Sequence, residues 1–263
     1  MRMVHSGNKE WFMRASAVEF RLRMLINAGI IVLGFWAPWA RTWGPTMVFA
    51  PRVSLLETLA LDLSRMGLVS FAAAAPVVIV CAAFLAGVGA VLRIWGAAYL
   101  GTGTVQSPKM QAGTVMADGP YRYVRNPLYI GLWCMTAALA FLMPPSGAMV
   151  TMILLTIFQL RLIFGEEAFL AERLGESYRD YCHAVPRLFP RLRGAPQRSG
   201  QEPRWLRSVL TELTSIGVFV ALAFFSWGYN NRLMIRAILI SFGLSLVTRA
   251  FLPGAPAKQV SEG

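Results

Sequence analysis

The stretch DGPYRYVRNPLYIGL, residues 118–132, carries two arginines and three tyrosines and runs without a break into an apolar segment. Asn is a favoured helix N-cap and Pro a favoured first helical residue, so a helix is predicted to begin at Asn126-Pro127. No charged residue follows until after Leu160, a run too long for one bilayer crossing of about 20 residues. Pro144-Pro145-Ser146-Gly147, near its middle, is a turn cluster that splits it into two spans joined by a tight hairpin. Both outer ends of that hairpin then return to one membrane face.

Working outward, Met24 to Ala40, Met66 to Leu92 and Leu213 to Asn231 are further charge-free runs of spanning length, and Leu233 to Val247 is an apolar run interrupted by Arg236. The expectation is an all-α, polytopic bundle of about six transmembrane helices. Composition agrees, because the 263 residues are 56% hydrophobic and only 14% charged, against the quarter-charged composition of an ordinary soluble domain. Basic residues cluster in three places: Arg2 to Arg23, Lys109 to Arg125, and Arg173 to Arg207 with its eight arginines. With six alternating helices all three fall on one side, which the positive-inside rule makes cytoplasmic, as are both termini. The net charge of +12 then reflects loops facing anionic lipid, each basic residue contributing about 1 kcal/mol. A nucleic-acid partner is not expected. The first apolar run begins after more than twenty residues without a small-residue cleavage site, and so is read as a retained span rather than a signal peptide. Cys81, Cys134 and Cys182 are scattered, and with only His5 and His183 beside them no metal site is expected.

The chain divides into residues 1–65, a basic segment with the first span and a non-cytoplasmic loop; 66–194, a core of three spans with cytoplasmic polar segments; 195–204, a turn-rich linker; and 205–263, a C-terminal transmembrane hairpin and tail. Chemistry concentrates in two polar segments, Gly101 to Asn126 and Gly165 to Arg207, which the hairpin brings to one face. Around Asn126, the residues Tyr121, Arg122, Tyr123, Arg125 and Tyr129 read either as an aromatic and arginine belt at the interface or as an anion site built on a helix N-terminus. Glu166-Glu167 sits where a span leaves the membrane, a costly place for adjacent carboxylates unless they are solvated, paired or used. The pattern through Leu170, Leu174, Tyr178 and Tyr181 continues the helix, with an interruption at Gly175. Gly101-Thr102-Gly103 is a turn or a cofactor loop, and Arg93, at the end of the second span, is expected to snorkel.

Taken in order, GPYRYVRNPLYIG at 119–131, Glu166-Glu167 and GESYRDYCHAVPRLFP at 175–190 resemble the integral-membrane methyltransferase superfamily of isoprenylcysteine carboxyl methyltransferases and phospholipid N-methyltransferases, over roughly residues 66–191. The resemblance implies S-adenosylmethionine as cofactor, S-adenosylhomocysteine as product, and a membrane-embedded lipid or isoprenoid-like substrate entering from the bilayer. The carboxyl methyltransferase branch typically has His where this chain has Asn126. The phospholipid branch can have Asn-Pro-x-Tyr with a Gly-x-Gly and a Glu-Glu pair, here Asn126 to Tyr129, Gly101 with Gly103, and Glu166 with Glu167, which tilts the expectation toward a lipid amine.

On that resemblance Glu167 is the candidate base and Glu166 its cofactor-side partner, with the two roles exchangeable, and Arg125 orients an anionic group. Cofactor contacts are expected from Gly101, Gly103, Tyr121, Arg122, Asn126, Tyr129, Glu166, Tyr178 and Tyr181, and a substrate or cofactor anion at Arg187. The alternatives are carboxyl methylation of a prenylated cysteine, a sterol-type membrane reductase, and a non-catalytic scaffold or transporter. No charged residue lies mid-span in the charge-free runs, which speaks against ion-coupled transport.

Overall fold

The structure is a computed structural model that describes residues 14–36, 53–100, 118–191, 200–228 and 231–251. The described residues form α1 (Ala17–Arg21), α2 (Arg23–Trp36), α3 (Leu55–Arg65), α4 (Phe71–Tyr99), a 3-10 turn (Gly119–Arg122), α5 (Pro127–Ala140), α6 (Pro145–Leu174), α7 (Glu176–Ala184), α8 (Trp205–Thr211), α9 (Leu213–Gly228) and α10 (Asn231–Phe251). The protein is all-α among these residues. By length and composition α4 and α6 suffice to cross a membrane, and α8 with α9, bent by 67°, make a third crossing if they count as one span. α2 and α5 are apolar but have 14 residues each, about 21 Å of helix.

The hairpin anticipated at Pro144-Pro145 is present. α5 stops at Ala140 and α6 opens on Pro145 as a first-turn proline, where its missing N–H costs no helical bond. α6 then runs 30 residues, about 45 Å, which exceeds the hydrocarbon thickness of about 30 Å. Its last turns, with Glu166 and Glu167, therefore lie near the end opposite Pro145, beside the N-terminus of α5. The helix ends at Gly175, whose φ of +61° favours glycine, and the chain turns there into α7.

α4 and α5 pack closely because glycines face each other. A Cβ on Gly89 would lie 2.7 Å from the Gly131 carbonyl oxygen, and one on Gly131 would lie 2.6 Å from Arg93 Cγ. Small residues allow such backbone approach where lipid supplies no hydrophobic drive between helices. Around this contact Ala83, Ala86, Met135 and Ala138 join Val218, Leu222 and Met234 in one buried cluster, so the C-terminal helices pack directly on the core.

That packing corrects the reading of Arg93. Instead of reaching to headgroups, its guanidinium donates from Nε to Glu212 Oε2 at 2.7 Å and from Nη2 to Glu212 Oε1 at 2.8 Å. Glu212 precedes the apolar run of α9 at the α8–α9 bend, close enough for a bidentate pair that outcompetes interfacial water. α1 and α3 are short surface helices, each opened by a capping box, Ser16 with Glu19 and Ser54 with Glu57.

Candidate active site

At the ends of α5 and α6 the side chains converge on Glu167, which is largely buried. Asn126 Nδ2 donates to Glu167 Oε1 at 3.2 Å, while Arg187 donates to Oε2 from Nε at 3.0 Å and Nη2 at 2.8 Å. Arg125 Nη1 stands 3.4 Å from the same Oε2. One carboxylate thus gathers two guanidinium groups and an amide from segments 20 residues away on one side and 41 or more on the other. Asn126 does begin α5, yet its side chain makes no capping bond. The amide instead donates to Glu167 and to the Arg187 carbonyl, the latter at 3.2 Å, so Asn126 serves the cluster as well as the helix start.

The segment after α7 is held in place by its backbone. The Arg125 N–H donates to the Pro186 carbonyl at 2.9 Å and the Arg191 N–H to the Tyr123 carbonyl at 2.9 Å. These bonds, with Tyr181 Oη donating to the Tyr121 carbonyl at 2.8 Å, clamp residues 181–191 along residues 121–125. Arg187 also lies over the Phe164 ring, 4.7 Å from its centroid, a cation–π contact that orients the guanidinium. The hydrogen bonds to Glu167 raise the Arg187 pKa further above its ordinary value. Glu166 faces a different partner, Tyr129, whose hydroxyl donates to Oε2 at 3.0 Å.

Beside this cluster lies a cavity of about 430 Å³ whose wall includes Arg14, Arg125, Glu167, Tyr178, Arg179 and Arg187. That volume is within the range of small-molecule sites. Four arginines against one glutamate make it an anion-attracting space. Burial pushes the phenols of Tyr178 and Tyr181 upward in pKa, so both stay protonated and serve as donors rather than bases.

Of the residues expected from sequence, Arg125, Asn126, Glu167 and Arg187 meet in the cluster, with Tyr178 on the cavity wall. Tyr129 and Glu166 pair next to it, and Tyr121 and Tyr181 contribute to the clamp. Arg122 goes elsewhere, to the wall of a second cavity. Gly101 and Gly103 lie outside the described residues. Sequence reasoning missed Arg14, which reaches the wall because its segment crosses α6 at Gly165. There the Ala15 N–H donates to the Arg161 carbonyl at 2.9 Å, and a Cβ on Gly165 would stand 3.2 Å from the Ala15 oxygen. No local signal links positions 14 and 165. Cys182 could have been found, since it follows Tyr178 by four residues and Arg179 by three on α7.

The donor set fits S-adenosylmethionine. Arg125 Nε is buried and makes no hydrogen bond among the described residues, which suits a carboxylate ligand. Glu167 on the cavity wall suits an ammonium or sulfonium, and Phe164 and Tyr178 offer ring surface for adenine.

The family comparison agrees with this chemistry. Residues 77–177 match the model of the phospholipid methyltransferase family, a stretch that holds Asn126, Tyr129, Glu166 and Glu167. No curated protein and no solved structure matches the chain. Over residues 77–177, then, the chain is similar to the phospholipid methyltransferase family, whose members carry out S-adenosylmethionine-dependent methyl transfer in the membrane.

Proposed function

We propose that this chain methylates the amine of a phospholipid headgroup and that the Glu167 cluster is where it does so. The observation that carries this reading is the convergence of Asn126, Arg125 and Arg187 on Glu167 at the wall of an arginine-lined cavity. S-adenosylmethionine supplies an electrophilic methyl group on sulfur, transferred by in-line displacement without a covalent enzyme intermediate. Alignment in a dry pocket provides much of the acceleration for such a step.

A headgroup ammonium must lose its proton before it can attack, and Glu167 is the proposed acceptor. Its Oε2 is engaged by Arg187 and approached by Arg125. A phosphodiester entering the cavity competes for the Arg187 guanidinium, because phosphate and carboxylate accept the same bidentate fork. Substrate binding therefore frees the lone pairs that take the proton. Arg125 would hold the cofactor carboxylate, and Glu166, positioned by Tyr129, would supply negative charge for the cofactor's cationic end. The site lies on the cytoplasmic face of a six-span protein with both termini cytoplasmic, as the arginine distribution implies.

The test is transfer of labelled methyl from S-adenosylmethionine by protein reconstituted in vesicles containing phosphatidylethanolamine, with a farnesylated cysteine in a parallel reaction. Label in mono-, di- or trimethylated headgroups is the expected result. Label only in a base-labile ester would assign the cavity to a carboxylate acceptor, which its arginines also suit.

A further inference from the structure

The second cavity differs in chemistry from the first. About 320 Å³ in volume, it is walled by Trp95, Tyr99 and Tyr123, with Asp118, Glu202 and Arg122 around them. Its walls are built rather than incidental. Trp95 and Tyr123 pack with ring centroids 6.2 Å apart, and Tyr99 meets Trp205 edge-on at 6.5 Å. The Tyr99 ring lies directly on Gly119, where any Cβ would collide with it. The segment that closes the cavity is pinned at two points: the Gln201 N–H donates to Asp118 Oδ2 at 2.9 Å, and the Arg204 N–H to the Ala98 carbonyl at 2.9 Å. Asp118 is itself buried, at 2% exposure, so its charge acts on the cavity with little screening by water.

From these contents we infer a binding site for an N-methylated ammonium headgroup attached to a phosphate. Aromatic faces attract cations through their quadrupoles and favour quaternary or methylated ammonium over a bare ammonium, whose hydration is costlier to remove. Two carboxylates add a field of the right sign. Tyr123 already stacks with a cation, the Arg122 guanidinium lying 5.8 Å from its ring centroid, and Arg122 at the wall supplies the phosphate partner. This inference rests on the proposed lipid-amine methylation, since its ligand is that reaction's product. Residues 122 and 123 line this cavity and Arg125 the other, so one short segment separates them. A methylated headgroup held here stays with the protein between successive transfers.

The test uses the full chain in maltoside detergent, with saturation-transfer NMR on the methyl protons of phosphocholine and with short-chain phosphatidylcholine as the lipid-borne source. S-adenosylmethionine affinity, by calorimetry, is read in parallel on every variant. Phosphocholine should bind saturably, be displaced by tetramethylammonium but not by inorganic phosphate alone, and bind at least fivefold more tightly than phosphoethanolamine. Tighter binding of short-chain phosphatidylcholine than of phosphocholine would support the lipid as the natural source, whereas exclusion of the lipid would overturn that assignment. Trp95→Leu should weaken phosphocholine binding at least tenfold, and Glu202→Gln, an exposed position outside any helix, about threefold, with cofactor affinity unchanged. Equal or tighter phosphoethanolamine binding, or no phosphocholine binding by protein that still binds cofactor, would overturn the inference. Loss of cofactor affinity in Glu202→Gln would give the cavity to the cofactor instead. Failure of the wild type to bind cofactor would count against the proposed function, a result separable from the headgroup measurement.

Discussion

Two buried glutamates in this molecule are held by arginine, and they are held differently. Glu212, with a side chain 1% exposed, receives the Arg93 fork on both oxygens, and Ser215 Oγ donates to Oε2 at 2.7 Å. At Glu167 the guanidiniums crowd Oε2 alone, Oε1 takes only the Asn126 amide among the described residues, and a cavity lies alongside. The first arrangement is symmetrical and closed, suited to locking α8 and α9 onto α4. The second is lopsided and open, so an incoming anion can redistribute its partners. Burial of a charged pair by itself therefore says little about function, whereas the geometry of the pairing and the space beside it say more.

The largest stability effect should come from breaking the closed pair. Glu212→Leu leaves the Arg93 guanidinium buried without its counter-charge and should cost about 3–5 kcal/mol, read as a lowered midpoint in thermal unfolding. Arg93→Met combined with Glu212→Leu should recover much of that loss, since a buried pair often replaces well with apolar side chains. Next, Arg187→Ala should raise the KM for phospholipid more than it lowers kcat. The loss of charge-assisted bonds of about 1.5–3 kcal/mol corresponds to roughly ten- to hundredfold, and steady-state kinetics on mixed micelles separates the two constants. Tyr129→Phe removes one hydroxyl donor to Glu166 and should lower turnover about fivefold, in line with a hydrogen bond of about 1 kcal/mol.

The smallest effect belongs to the surface pair of Glu19 and Arg161, 3.0 Å apart. Hydrogen bonding to Arg161 leads the interactions that lower the Glu19 pKa from 4.5. A carboxylate lowered in the folded state contributes stability that is complete above its unfolded pKa and lost as pH falls through the folded one. Glu19→Gln should thus cost about 0.5 kcal/mol at neutral pH. The difference from wild type should shrink below about pH 4, as unfolding across a pH series would show.

Legibility in the sequence followed the range of the interaction. The start of α5 at Asn126-Pro127, the Pro144-Pro145 hairpin and the break at Gly175 were readable, because caps, prolines and glycines act within a few residues. The convergence of residues 125–129 with Glu166-Glu167 followed from the hairpin's geometry. Arg93 was misread because its partner lies 119 positions away and stands just before an apolar run, where nothing local marks it. Asn126 was expected as a cap and as a cofactor contact, whereas its bond to Glu167, 41 positions away, has no local signal. Arg14 was hidden by the absence of any periodicity linking it to α6.

The comparison of the two glutamates is tested most directly by measuring methyl transfer per folded molecule in Glu167→Gln and Glu212→Gln against wild type, with thermal midpoints on the same preparations. Glu167→Gln should lose turnover by about a thousandfold or more, the scale of a lost general base, with its midpoint little changed. Glu212→Gln should show a depressed midpoint while its folded fraction keeps turnover within a few-fold of wild type. Near-normal turnover in Glu167→Gln, or an equal loss in folded Glu212→Gln, would contradict the assignment of chemistry to one glutamate and structure to the other.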